Sequence, residues 1–465
     1  MPDFDVVLIG SGPGGYVAAI HAARQGARVA IVEQKATEWG GTCLNWGCIP
    51  TKTLVQSAEV LRTVRRAAEF GVNVGESEID WTAMQARKDR VVASMRQGVQ
   101  GLLKSNGVEM VTGRGRLVGP GRVAVDGRDL AGRNLILAPG SVVARPPFKG
   151  ADLGLTSDEI LSVATVPESL VVIGGGVVGM EFAGIFSLLG TRVTVIEMLD
   201  QLLTPLDPEV AQRFQQLMSK RGVSFHLSAR VESLEKGAGG FRVKFEGQEV
   251  EAEQVLVATG RRPNTDEMGL EEAGLALDRS AIKVDAHLRT NVEGVYAIGD
   301  ATMISMLAHT ASYQGEVAVH NALGEHPVSA DYTAIPACIY TEPEIAYVGL
   351  SEAQARAQGE QPKVGSFPFA ALGRAMVLGE TEGLVKVVAD REGYVVGVTI
   401  MGPRATDLIA EAVLAVHQGV TAAELTHAVH AHPTLPEALA EAALDVDGRA
   451  VHIAPRKKKA AQPTP

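Results

Sequence analysis

Apolar positions along the chain fall into two periods. Phe4 to Ile9 is a nearly continuous apolar run, the pattern of a strand covered on both faces. The turn Gly10-Ser11-Gly12-Pro13-Gly14-Gly15 follows, then an alanine-rich stretch that predicts a helix from about 15 to 25, then a strand from Ala27 to Val32 ended by Glu33. Helical periodicity covers 50–70, where Leu54, Ala58, Leu61 and Val64 share a face, and 81–106. Short strands are expected near Val108–Gly113, at Arg122–Val125 and at Leu135–Ala138, the last ending at a turn through Pro139, Gly140 and Ser141. The proline-bearing stretch 142–167 reads as a linker.

After it the opening pattern returns. Leu170–Ile173 predicts a strand, Gly174-Gly175-Gly176-Val177-Val178-Gly179 a turn, the run to about Leu189 a helix, and Arg192–Ile196 a strand that leads to Glu197. The two copies start 164 residues apart and constitute an internal repeat. Each has the context that gives a glycine fingerprint meaning: strand, tight turn, helix N-terminus for a pyrophosphate, then an acid for a ribose hydroxyl. Gly10, Gly12, Gly15 and Glu33 form the first set; Gly174, Gly176, Gly179 and Glu197 form the second. Two units imply two dinucleotides. A carboxylate at Glu197 would repel a 2′-phosphate by about 1 kcal/mol per charge pair in water and about 4 kcal/mol at an effective dielectric of 20. The second dinucleotide is therefore expected to be NAD rather than NADP.

Further on, Val255–Ala258 predicts a strand before Thr259-Gly260-Arg261, and Val295–Ile298 a buried strand before Gly299 and Asp300. A helix is expected to open at Met306-Leu307-Ala308-His309 and run to about Leu323, with a partial positive charge at its N-terminus. From about Thr341 a separate domain of strands and helices begins. Within it Thr434 and Glu437 make a capping box for a helix starting near Leu435, with Pro436 tolerated in the first turn.

Length and composition add bounds. A chain of 465 residues has room for about three domains. Fifty-one glycines suit several tight turns against ligands, and a net charge of −11 argues against a nucleic-acid surface. The N-terminus has no basic region ahead of an apolar run, and nowhere do 18 apolar residues follow one another, so a cytosolic protein is expected. Of three cysteines, Cys338 has apolar neighbours and reads as a buried inert thiol.

Cys43 and Cys48 stand with four residues between them. On a regular helix, five steps of about 1.5 Å put roughly 7.5 Å between their α-carbons, beyond the roughly 7 Å that a disulfide spans. A bridge needs a distorted turn. Gly47, free to take a positive φ, and Pro50 suit one. A loop this short gains little stability from closure, and in the cytosol a disulfide is more often catalytic. Metal-site spacing is not present.

The run Gly41-Thr42-Cys43-Leu44-Asn45-Trp46-Gly47-Cys48-Ile49-Pro50-Thr51-Lys52 resembles the redox site of the pyridine nucleotide–disulfide oxidoreductases. That family includes dihydrolipoamide dehydrogenases, glutathione reductases and mercuric reductases, and the resemblance is nearest to the first branch. It implies an α/β fold of two Rossmann-like domains, for FAD and NAD, with a C-terminal α+β dimerisation domain. The expected boundaries are 1–145 for the FAD domain, 146–270 for the NAD domain, 271–340 for a segment returning to the FAD domain, 341–453 for the interface domain and 454–465 for a disordered basic tail.

The resemblance also implies roles. Cys43 would be the interchange thiol, Cys48 the thiol facing the flavin, with Lys52, Gly41 and Thr42 near the ring. Gly115 would pack on the adenine, Gly140 and Ser141 would form the flavin contact where Pro139 departs from the family's threonine, and Asp300 would meet the ribityl chain. Met306, Leu307, Ala308 and His309 would close the flavin site. Glu181 would lie near the flavin, although a helix glutamate can equally sit on a solvated face; Val231 and Gly260 would join the nucleotide contacts. His-Pro-Thr-x-x-Glu at 432–437 matches the family's base motif, so His432, oriented by Glu437, would take a thiol proton across a homodimer interface, with His430 behind it. The reaction implied is oxidation of dihydrolipoyl groups with reduction of NAD, on the lipoyl domains of 2-oxo acid dehydrogenase complexes or the glycine cleavage carrier. Alternatives are a glutathione- or mercuric-reductase-like enzyme, or a non-catalytic FAD-binding docking subunit. Membranes and metals are not expected.

Overall fold

A computed structural model describes residues 2–237 and 239–455; the basic run from Arg456 lies outside them. The chain forms two compact units. Residues up to Gly174, Ile185–Ile196 and Ala229–Ala330 make the first, and Gly175–Gly184, Glu197–Ser228 and the chain from Asp331 make the second. Among the described residues no helix is long and apolar enough to cross a membrane.

The first unit is built on β1 (Phe4–Ile9), α1 (Pro13–Arg24), β2 (Val29–Glu33), α2 (Gly41–Asn45), α3 (Cys48–Arg65), α4 (Trp81–Ser105), β3 (Glu109–Thr112), β4 (Gly115–Gly119), β5 (Arg122–Val125) and β6 (Arg128–Leu137). The order β3-β2-β1-β6 is parallel, and Val295–Ala297 adds a parallel strand on the far side of β6. Val6 and Leu8 point into one apolar layer while Phe4, Val7 and Ile9 point into the other, which is why the run is continuous rather than alternating.

β6 is longer than the apolar signal suggested. Its first residues pair antiparallel with β5 across Asp126 and Gly127, both at positive φ, a two-residue hairpin turn with the Asp-Gly signature. The helix Ala308–Leu323 crosses α1 closely: a side chain on Gly14 would meet Ala311 O at 3.0 Å, and one on Gly315 would meet Gly14 O at 2.8 Å.

The second repeat places Ser169–Ile173 between Arg192–Ile196 and Gln254–Val257, all parallel, reproducing the β2-β1-β6 arrangement. A three-stranded antiparallel sheet, Val231–Gly237, Gly240–Phe245 and Gln248–Ala252, packs Val243 and Phe245 against Val171, Ile173 and Val255. The stretch 142–167 is not a loose linker. Ser141–Val143 pairs with Arg261–Pro263, Arg145 donates to the carbonyls of Ala151 and Gly154 at 2.8 and 3.0 Å, and Trp81 Nε1 and Lys88 Nζ donate to Val163 O and Leu161 O, each at 2.8 Å. Prolines broke the periodicity there without removing these partners.

In the second unit a five-stranded antiparallel sheet runs in the order 337–339, 344–349, 395–402, 384–389, 363–368. Helices Ala405–Gln418 and Glu437–Asp445 contribute to its apolar core, with Phe367, Phe369, Ile400 and Leu439 at the centre. Cys338 is half-buried rather than buried; it edges this core and its thiol donates to Thr406 O at 4.0 Å.

Candidate active site

The dithiol segment is a helix interrupted. α2 ends at Asn45, α3 starts at Cys48, and Trp46-Gly47 fills the break. Gly47 has φ −120° and ψ −115°, so the expected positive φ is not its reason. A side chain there would lie 2.9 Å from Thr42 O and 3.0 Å from the Cys43 Cα; glycine is needed because two turns come into contact. Pro50 sits in the first turn of α3, where a missing N–H costs nothing.

Cys43 and Cys48 share a side-chain hydrogen bond, the closeness that the expected redox pair requires. That bond, then burial, then the charge of Cys48 push the Cys43 thiol well above the ordinary range, while the Lys52 ammonium pulls the other way. The short helix is strapped from outside by two residues that sequence reasoning missed. Asn45 Nδ2 reaches the carbonyls of Glu38, Trp39 and Gly41 at 3.1, 3.2 and 2.9 Å, and Arg96 Nη1 reaches Asn45 Oδ1 at 3.1 Å and Thr37 O at 2.9 Å. Nothing in the sequence ties position 45 to position 96.

The same segment rests on the first glycine turn. Gly41, with φ +65°, would bring a side chain to 2.5 Å from the Gly12 Cα, and Gly40 N donates to Ser11 Oγ at 3.1 Å. Within the turn, Gly10 lies against Ala138 O at 2.1 Å and Gly15 against Gly10 O at 1.9 Å from where a Cβ would be. Gly12 faces open space instead. The glycines therefore divide: Gly10 and Gly15 let chain meet chain, and Gly12 leaves room for a ligand. Glu33 is buried and takes Ser11 N at 3.1 Å, Ser11 Oγ at 2.5 Å and Gln34 N at 2.7 Å. Burial raises its carboxyl above the usual carboxylate range against these bonds.

The second turn repeats the design. Gly174 stands against Ala258 O at 2.4 Å, Gly176 faces open space, and Gly179 is buried in the first turn of α5 (Val177–Leu188). Glu197 takes Gly175 N at 2.5 Å and Leu199 N at 2.8 Å. Both cradles thus fit a dinucleotide: an open glycine, a helix N-terminus and a carboxylate oriented by the turn.

Around the other residues expected at the flavin, Ser141 Oγ donates to Asp300 Oδ2 at 2.5 Å and accepts from Arg261 Nε at 2.8 Å. Gly140 has φ +72°, and Asn264 Nδ2 donates to Pro139 O at 3.3 Å. Gly115 is buried under Ile9 and Val32, the side chain of Val231 lies in the apolar cluster, and Gly260 is exposed at φ +119°. Met306, Leu307, Ala308 and His309 precede or open the helix Ala308–Leu323, whose N-cap is Leu307 and whose first N–H groups receive no side-chain cap. Glu181 is only 4 % exposed and accepts from Tyr340 N at 2.9 Å, which removes the solvated-face alternative.

His432 is exposed, and its Nδ1 lies 2.8 Å from Glu437 Oε1. Only half of the expected capping box forms. Glu437 Oε2 accepts from Thr434 N at 2.7 Å, but Thr434 Oγ1 donates to Ala431 O, and the helix starts at Glu437 rather than near Leu435. Glu437 is shared between a backbone amide and an imidazole. His430 is occupied by Glu411 Oε1 at 2.9 Å and Ala428 O at 2.9 Å.

Residues 4–315 match the pyridine nucleotide-disulphide oxidoreductase family and residues 335–443 its dimerisation domain. The chain is 41 % identical to the dihydrolipoyl dehydrogenase of Chlamydia muridarum, over 98 % of this chain and 99 % of that one. It is 42 % identical to that of Thermus scotoductus and 40 % to that of Bacillus subtilis, each over 97 % of this chain and 99 % of the other. Among solved structures it resembles LpdA of Mycobacterium tuberculosis, with 30 % identity, a TM-score of 0.88 and coverage of 94 % and 98 %. It also resembles the HOCl-induced flavoprotein disulfide reductase RclA of Escherichia coli, with 28 % identity, a TM-score of 0.87 and coverage of 94 % and 99 %.

Proposed function

The chain belongs to the pyridine nucleotide–disulphide oxidoreductase family, and we propose that its reaction is the oxidation of protein-bound dihydrolipoyl groups to lipoyl groups with reduction of NAD. The observation that carries this reading is the hydrogen-bonded thiol pair in the break between α2 and α3, set directly on the first glycine turn.

In the oxidised enzyme Cys43 and Cys48 form a disulfide. A dihydrolipoyl thiolate attacks Cys43, the bond between Cys43 and Cys48 breaks, and Cys48 leaves as a thiolate. The second substrate thiol then displaces Cys43, so the substrate becomes a cyclic disulfide and the protein a dithiol. His432, held by Glu437 and exposed for a second copy of the chain, accepts the proton that the attacking thiol releases. Gly12 and the first turn would hold the FAD pyrophosphate, the Asp300 carboxylate, held by Ser141 and through it by Arg261, would take the ribityl hydroxyls, and Gly176 with Glu197 would receive NAD. FAD, when bound, supplies the two-electron transfer between the dithiol and NAD. The working form is a cytosolic homodimer that serves the lipoyl domains of a multienzyme complex.

The test is a pair of steady-state assays on the purified protein: dihydrolipoamide oxidation with NAD, and glutathione disulfide reduction with NADPH. Turnover in the first alone is expected. Turnover in the second alone would overturn both the substrate and the reading of Glu197.

A further inference from the structure

Every residue of the strand Leu384–Ala389 is buried, and one of them, Lys386, is charged. Its Nζ lies 2.9 Å from Glu352 Oε2, 3.0 Å from Asp207 Oδ2 and 3.5 Å from Glu209 Oε2. Three donors meet three carboxylates. Glu209 and Glu352 are each also paired with an arginine, Arg213 and Arg356, at 2.9 Å. These four side chains, Lys386 and Ser366 line a cavity of about 630 Å³. Burying an ammonium in a strand is costly, and an aliphatic side chain would fill the position without that cost. The lysine therefore has a positional task.

That task is legible from Asp207. Its Oδ1 caps α6 (Pro208–Lys220) by accepting from Glu209 N at 3.0 Å, which leaves Oδ2 for Lys386. Lys386 thereby pins the start of α6 to the sheet. The ten residues before that point begin at Glu197, and they return to the glycine turn on the way. Leu203 N donates to Gly175 O at 2.9 Å, Gly175 N donates to Glu197, and Leu202 occupies the space that a side chain on Gly175 would need. Leu202, Leu203 and Leu206 are all buried. The segment has two fixed ends: the Glu197 carboxylate at the turn and the Asp207 carboxylate on Lys386.

We propose that Lys386 is a positioning residue for the nicotinamide nucleotide, holding the segment 198–207 so that Glu197 and Gly175 keep the geometry that receives the ribose. This rests on the reading that Glu197 faces NAD.

The experiment uses the FAD-loaded enzyme. Lys386→Met and Asp207→Asn are each expected to raise the KM for NAD about tenfold, with kcat and the KM for dihydrolipoamide changed less than twofold. Asp207→Asn keeps a capping oxygen and answers the question even if Lys386→Met does not fold. Glu352→Gln, which weakens Lys386 at a carboxylate that does not belong to α6 or its cap, is expected to lower the melting temperature without moving the KM for NAD. If Lys386→Met or Asp207→Asn lowers the melting temperature as Glu352→Gln does and leaves the KM for NAD in place, the lysine is structural only and the proposal fails. Glu197→Gln separates the two readings. A raised KM for NAD there with none in the Lys386 and Asp207 variants overturns this proposal alone, whereas no change in any variant removes the Glu197 reading and this one with it.

Discussion

Glu437 Oε1 lies 2.8 Å from His432 Nδ1 while its Oε2 takes the Thr434 amide at 2.7 Å, so one carboxylate fixes both the ring and the backbone of the loop that carries it. Replacing His432 by Gln is expected to lower kcat by roughly two to four orders of magnitude. Glu437→Gln retains a partner for the amide but loses charge, and a loss of about tenfold to a hundredfold is expected. FAD content should be unchanged in both, which absorbance of the purified variants checks.

The same pair sets an acid limit. Burial works to raise the Glu437 carboxyl, but the Thr434 amide and the His432 ring overcome it and hold it below the usual 4.5. A depressed pKa means that the orienting interaction is fully present above pH 4.5 and is lost as pH falls through the lower folded value. An NMR titration of the Glu437 carboxyl carbon should have its midpoint below 4.5; a midpoint above it would show that the pair is not formed in solution.

The dithiol gives a second pH signature. Because the hydrogen bond to Cys48 and burial raise the Cys43 thiol, its thiolate is scarce near neutrality. Alkylation of the reduced protein at Cys43 by iodoacetamide should still be climbing about tenfold per pH unit at pH 9, without the plateau of an ordinary thiol near 8.5. Cys48→Ser should abolish dihydrolipoamide turnover while leaving FAD bound.

Two glycines of one turn should behave oppositely. At Gly10, φ is +98° and a side chain would collide with Ala138 O at 2.1 Å, so Gly10→Ala is expected to give little folded protein. At Gly12 nothing lies within 4 Å. Gly12→Ala should melt within a few degrees of the parent as apoprotein yet bind FAD at least tenfold more weakly. Thermal unfolding with and without added FAD distinguishes the two.

On the proposed reading, Glu197 is the residue that sets the choice of nucleotide. Its carboxylate is held by Gly175 N and Leu199 N and disfavours a 2′-phosphate by about 1–4 kcal/mol, depending on how wet the site is. Glu197→Gln should lower the ratio of kcat/KM for NAD over NADP by about tenfold, through a raised KM for NAD together with better use of NADP.

The parts of this chain that the sequence disclosed are those in which local pattern and final partner coincide. β1, the glycine turn and their second copy are read from a continuous apolar run, a turn and an acid at fixed spacing, and the turn itself orients the acid in both copies. The first half of β6 was missed because Arg128, Asp129 and Arg133 mask it, although Asp126-Gly127 marked the hairpin. Gly47 was placed correctly for the wrong reason, since its close approach to Thr42 and Cys43 depends on the fold of the break and not on its own φ. Arg96 on Asn45, and Lys386 on Asp207 and Glu352, were invisible. Their partners are far away in the chain and carry no spacing signal.

The strand Val295–Ala297 and the glycine crossing of α1 with the helix Ala308–Leu323 have a consequence for how the protein is made. When the ribosome has delivered β6, the parallel sheet already has four strands, but Leu135–Leu137 of β6 lack the neighbour that Val295–Ala297 will supply and the Gly14 face of α1 is bare. Both wait until the entire second repeat has emerged. Closure of the first unit is thus a late event of synthesis, joined by contacts distant in sequence and slow to form. In the interval the nascent chain carries an open strand edge, the place where premature association with another chain would begin.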